Sequence, residues 1–138
     1  MTAKEYLGQV RHAERRIAAL KARKIKYQEL AAQRTAHYRQ GPGGSTRRVS
    51  SVEDYACRIV DLEREMDRRI GEYVDLIHEI ERAIWAVPDD QQREVLEYRY
   101  LNGWSWNRIA GTMAHTERHV YRLHGIALRQ IKVPPKCQ

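Results

Sequence analysis

The sequence predicts an all-α protein: a long antiparallel, coiled-coil-like helical hairpin followed by a small C-terminal helical domain. Three observations predict it. Two extended segments carry apolar residues at helical spacing, a Gly/Pro-rich stretch separates them, and the last third breaks into short helical runs punctuated by capping residues.

In the first segment Tyr6, Val10, Ala13, Ile17, Leu20, Tyr27, Ala31 and Tyr38 follow a four-three spacing that passes through Lys24 and Arg34. One long helix with a coiled-coil seam is expected. Tyr55, Ile59, Leu62, Met66, Ile70, Tyr73, Ile77, Ile80 and Ile84 repeat the arrangement with a stronger stripe. Between them, Gln40-Gly41-Pro42-Gly43-Gly44-Ser45-Thr46-Arg47-Arg48 holds the densest helix-breaking chemistry in the chain, so a flexible loop is expected over 40–50. No strand pattern precedes it and no Gly-Lys-Ser/Thr ending follows it, which excludes a phosphate-cradling loop. Arg47 and Arg48 remain available to a DNA backbone.

Charge divides the same way. Residues 1–50 hold twelve Lys/Arg against three Asp/Glu, residues 51–87 five against ten, and residues 88–138 eight against five, within a net charge of +7. A basic helix followed by an acidic one favours pairing across a shared seam. Exposed ion pairs contribute only about 0–1 kcal/mol each, so the apolar seam supplies the stability and the charges choose the partner. Residues 1–87 are therefore expected to form the hairpin and to associate into a homodimer or higher homo-oligomer. Whether the helices pair within one chain or are exchanged between two is open.

Ala86-Val87-Pro88-Asp89-Asp90 marks the boundary to a second domain over 88–138, where the Asp pair caps the next helix and suits its N-terminal dipole. Asn102-Gly103 stops that helix with a residue able to take positive φ, and Ser105 caps the following one. Ile109, Ala110 and Met113 form one apolar face; Val120, Leu123 and Ala127 form another, with Thr116 as N-cap of the second helix. Two short helices crossing at a tight turn follow, as in a helix-turn-helix. Trp104 and Trp106 read as crossing contacts. Gly125 inside the last helix costs about 1 kcal/mol against Ala.

The stretch from Asp89 to Ile131 resembles region 4 of the sigma-70 family. Gln92 through Tyr100 looks like that family's preceding helix, Ser105 through Met113 its first motif helix, and Thr116 through Ile131 its recognition helix. The whole chain more loosely resembles small phage-encoded transcriptional regulators of the ArpU and RinA type. The resemblance implies a sequence-specific regulator that binds double-stranded DNA and works in the cytoplasm of a bacterial host. Thr116, Glu117, Arg118, His119, Tyr121 and Arg122 then face the major groove, with Arg118 and Arg122 the candidates for guanine. Arg99, Ser105, Asn107 and Arg108 are expected at phosphates. Glu117 and Arg118 reverse the family's usual Arg-Glu order, and Arg122 stands where Gln is common, so the base-reading code does not carry over. Ala114 occupies the turn position where Gly is frequent. A DNA-packaging adaptor and a protein that engages RNA polymerase are the alternatives.

Other classes find little support. No apolar run approaches the roughly 18 residues of a membrane span, and the N-terminus lacks a signal-peptide core, so no membrane association is expected. Cys57 and Cys137 make no disulfide framework or metal spacing and are expected as free thiols. His115, His119 and His124 are expected on different faces, with no metal bound. Glu63, Glu65, Glu79 and Glu81 read as solvated flanks of the seam. No catalytic residues and no cofactor are expected, and the chain is not read as an enzyme.

Overall fold

The computed structural model describes the backbone of residues 1–40 and 46–135 and the side chains of residues 1–36 and 52–135. Every regular element among them is helical: α1 (Ala3–Gln40), α2 (Thr46–Trp85), α3 (Asp90–Leu96), a π-helical turn (Glu97–Leu101), α4 (Trp106–Met113) and α5 (Glu117–Gln130). Of the residues expected in a loop over 40–50, Gln40 and residues 46–50 are helical. Residues 41–45, the side chains of Tyr38, Arg47 and Arg48, and Cys137 lie outside the described residues. Cys57 is an exposed free thiol.

α1 starts with a capping box. The Thr2 hydroxyl accepts from the Glu5 N–H (3.2 Å) and the Glu5 carboxylate accepts from the Thr2 N–H (2.8 Å). These bonds hold the Glu5 carboxyl below its ordinary range. α1 and α2 form a long packed pair, and the chain divides into two compact units, residues 14–72 and residues 1–13 with 73–138. This division differs from the expected break at Val87–Pro88. The cause is apolar: the first turns of α1 and the last turns of α2 belong to the core beneath the short helices.

In the unit 14–72 the two helices run antiparallel. Lys24 meets Glu63 (3.1 Å), and the Tyr27 and Tyr55 rings lie 6.1 Å apart with Arg58 beside Tyr27. Ile17, Leu20, Tyr27 and Ala31 are half-buried, as are Tyr55, Ile59, Leu62 and Met66. Ile70, expected in the seam, is 42% exposed instead, because beyond Met66 the inner stripe advances by three residues to half-buried Arg69. Arg68 and Arg69 turn to Glu65 and Glu72 of their own helix, not across the seam. Two carboxylates of the acidic helix are thus neutralised within their own helix.

The other unit holds two packed clusters. Tyr6, Leu7 and Val10 of α1, Ile80 and Ile84 of α2, Val87, Leu96, Ala127 and Ile131 form one; Val95, Ile109, Ala110, Val120 and Leu123 form the other. Consecutive residues Val95 and Leu96 of α3 enter different clusters, and α5 contributes to both. Tyr6 reaches the Glu79 carboxylate with its hydroxyl (2.9 Å). At the α2–α3 corner Asp89 caps α3 by accepting from the Gln92 N–H (2.9 Å). The Arg93 guanidinium donates to the Val87 carbonyl (3.0 Å), satisfying a carbonyl left over where α2 ends.

Candidate nucleic-acid interface

The geometry of this region begins where α3 widens. Over Glu97–Leu101 the helix takes one extra residue per turn, and the Asn102 N–H closes on the Glu97 carbonyl (3.0 Å). Gly103, at φ +71°, lets the chain reverse, and the Trp104 N–H returns to the Tyr98 carbonyl (3.0 Å). The widened turn aims Tyr98 and Tyr100 at different neighbours. Tyr98 stacks on Trp104 with centroids 4.6 Å apart, while the Tyr100 hydroxyl meets His124 Nε2 at 2.7 Å.

α4 and α5 are joined by three residues, Ala114–Thr116. Ser105 caps α4 by accepting from the Arg108 N–H (3.3 Å), and Thr116 caps α5 by accepting from the His119 N–H (3.2 Å). The end of α4 is a Schellman closure: the Ala114 N–H bonds to the Gly111 carbonyl (3.4 Å) and the His115 N–H to the Ala110 carbonyl (3.0 Å). Ala114 therefore sits in the left-handed region at φ 55°, a conformation a side chain resists by about 1–2 kcal/mol. Ile109 and Ala110 of α4 bury against Val120 and Leu123 of α5.

The polar residues expected to face DNA fall on the opposite side of α5. Glu117, Arg118, Tyr121 and Arg122 are exposed, as is Thr116, whose hydroxyl also serves the cap. His119 is half-buried against His115, their rings 4.6 Å apart and edge to face. That contact corrects the expectation of separate faces for these two. No cluster of three metal-binding side chains occurs among the described residues.

His124 lies elsewhere, inside the domain. Burial, with smaller contributions from Lys4 and Arg99, pushes its imidazole down to about 4, so it is neutral at pH 7. Burial likewise raises the Tyr100 phenol. Sequence reasoning missed this role, although a helical step places His124 beside Leu123 and one turn after Val120 and Tyr121, on the edge of the buried face.

Around His124 an aromatic chain extends to the surface. Trp106 meets His124 edge-on (4.7 Å) and Tyr121 at a tilt (4.9 Å), leaving Tyr121 48% exposed but braced. Arg99, expected at a phosphate, is drawn inward. Its guanidinium lies 4.4 Å from the Trp106 ring centre and donates to the Trp104 carbonyl (3.0 Å). Arg108 lies over the Trp104 ring at 4.0 Å and remains exposed beside exposed Ser105 and Asn107. Both tryptophans are half-buried crossing contacts. No helix among the described residues is long and apolar enough to cross a membrane.

No protein-family model, curated protein or solved structure matches the chain.

Proposed function

We propose that this protein is a sequence-specific DNA-binding transcriptional regulator in which α4 and α5 act as a helix-turn-helix. One observation carries the reading. A capped helix, three residues after its packing partner, buries Val120, Leu123 and Ala127 on one side and presents Glu117, Arg118, Tyr121 and Arg122 together on the other. Those side chains cluster in the first two turns, the part of a recognition helix that reaches base edges.

Arg118 and Arg122 supply the planar donor pairs that suit guanine. Bracing by Trp106 holds Tyr121 at low entropic cost, and Arg108, with Ser105 and Asn107, is placed for phosphates at the start of α4. Arg99 acts as a positioning residue, fixing Trp106. The resemblance of Asp89–Ile131 to sigma region 4 supports the same assignment, and two chains carrying one such head each would read paired half-sites.

Binding to selected and random duplexes across a salt series tests this. Arg118→Ala should relax preference at one base pair, at a cost of about 1–3 kcal/mol on the selected site, whereas Arg108→Ala should weaken all sequences alike and reduce the salt slope by about 1. Equal losses on both duplexes for both variants contradict the assignment. A wild-type protein without sequence preference would favour a packaging adaptor, and binding seen only with RNA polymerase present would favour the polymerase-engaging alternative.

A further inference from the structure

We infer that the unit 14–72 carries a second DNA-binding surface, a row of cations on one flank of α1 that engages the phosphate backbone without reading bases. The inference extends the DNA-binding reading above to a part of the chain that α5 does not include. Arg16, Arg23, Lys26 and Arg34 stand at intervals of seven, three and eight residues, which places them on one side of a helix. All four are exposed, and among the described residues the ion pairs of the unit involve Lys24, Arg68 and Arg69. Between Glu14 and Ala36 seven Lys/Arg face two Asp/Glu; Glu14 lies off this flank by helical register, and Glu29, three residues after Lys26, stands at its edge.

The flank is also concave. Arg16, Leu20 and Arg23 line an open groove bounded on the α2 side by Leu62, Arg69 and Glu65, whose carboxylate is held by Arg68 and Arg69, and a second groove runs past Arg23 to Lys26, Tyr27 and Leu30. Ala19, Leu20 and Leu62 supply apolar lining beside Arg16 and Arg23. From Arg16 to Arg34 the helix rises about 27 Å. That length spans about eight base pairs of duplex at roughly 3.4 Å each, so several phosphates come within reach.

A polyanion fits better than the acidic α2 of a second copy. Glu63, Glu65 and Glu72 of that helix are already engaged by Lys24, Arg68 and Arg69, and its remaining carboxylates are separate charges where a duplex offers a continuous row of phosphates. Arginine-rich rows suit phosphodiester oxygens, and Tyr27, the aromatic lining the second groove, is engaged by Tyr55 and Arg58 of α2.

The full-length triple variant Arg16→Ala/Arg23→Ala/Lys26→Ala tests the surface. Alanine keeps helix propensity at exposed positions, and circular dichroism confirms that helicity is retained. A second triple, Lys4→Ala/Lys21→Ala/Arg64→Ala, removes equal charge off the flank. Titration of a random-sequence duplex across a salt series should show the flank variant weakened about tenfold or more near 0.1 M salt, with a slope shallower by about 2–3, and the control changed far less. Equal effects of the two triples, or no effect of the flank triple, overturn the inference. So does normal duplex binding combined with loss of self-association in sedimentation, which would make the flank an interface between copies. Arg118→Ala/Arg122→Ala separates the two readings. Measured on the selected site, loss in that variant with the flank triple unchanged retains the α5 assignment and removes this one, and an unchanged selected-site affinity in that variant with loss in the flank triple does the reverse.

Discussion

His124 shows how one side chain sets the working conditions of the whole α5 region. Its ring is buried between Tyr100 and Trp106, and its imidazole sits down near 4 while the unfolded chain returns it to about 6.5. Above pH 6.5 both states are neutral and the group adds no pH dependence. As pH falls from 6.5 to 4 the unfolded state takes up a proton that the native state refuses, so stability drains away through that window by up to about 3 kcal/mol. Urea midpoints at pH 7 and pH 5 should therefore differ clearly in the wild type. His124→Gln, which keeps a partner for Tyr100, should flatten the difference; parallel losses in both proteins would place the effect on another group.

At the level of elements, the long helices, the caps at Asp89, Ser105 and Thr116, and the buried faces of α4 and α5 were legible because each is a local pattern of period or position. The capping box at Thr2 and Glu5 is an equally local pattern, Thr-x-x-Glu. Other features depend on partners far along the chain: the π-helical turn has no local code, and Arg99 reads as a surface cation until Trp106 is folded against it. Two residues of the α4–α5 pair give opposite lessons about glycine. Ala114 holds φ 55°, so Ala114→Gly relieves backbone strain, partly offset by a freer unfolded chain, and should stabilise by about 0.5–1 kcal/mol. Gly125 sits inside α5 with nothing within 4 Å of an added Cβ, so no close packing requires it. Gly125→Ala should stabilise by about 1 kcal/mol. Thermal melts of the two single variants should both shift upward, and a fall for Gly125→Ala would show that the open space at that position is used by something else.

On the scale of the molecule, the apolar cores decide which residues fold together. Six of the nine buried residues in the larger cluster, namely Tyr6, Leu7, Val10, Ile80, Ile84 and Val87, precede Pro88. A break in helical pattern at Pro88 is visible in the sequence, but the burial of Leu96, Ala127 and Ile131 against helices that start far upstream is not, because periodicity reveals that a face is apolar without naming what covers it. A fragment of residues 88–138 keeps the smaller cluster around Ile109 and Val120 and exposes the remaining side of α3 and α5. Each large side chain left uncovered forfeits about 1.5–3 kcal/mol, and a chain this short starts with little margin. The fragment should melt without a cooperative transition, or far below the full chain, when followed by circular dichroism. In the intact chain Leu7→Ala, more than a hundred residues before Thr116, should cost about 2–5 kcal/mol and lower the temperature at which DNA binding is lost. A fragment that melts cooperatively at the temperature of the full chain would mean that the short helices stand alone and that the first turns of α1 rest on a core already complete.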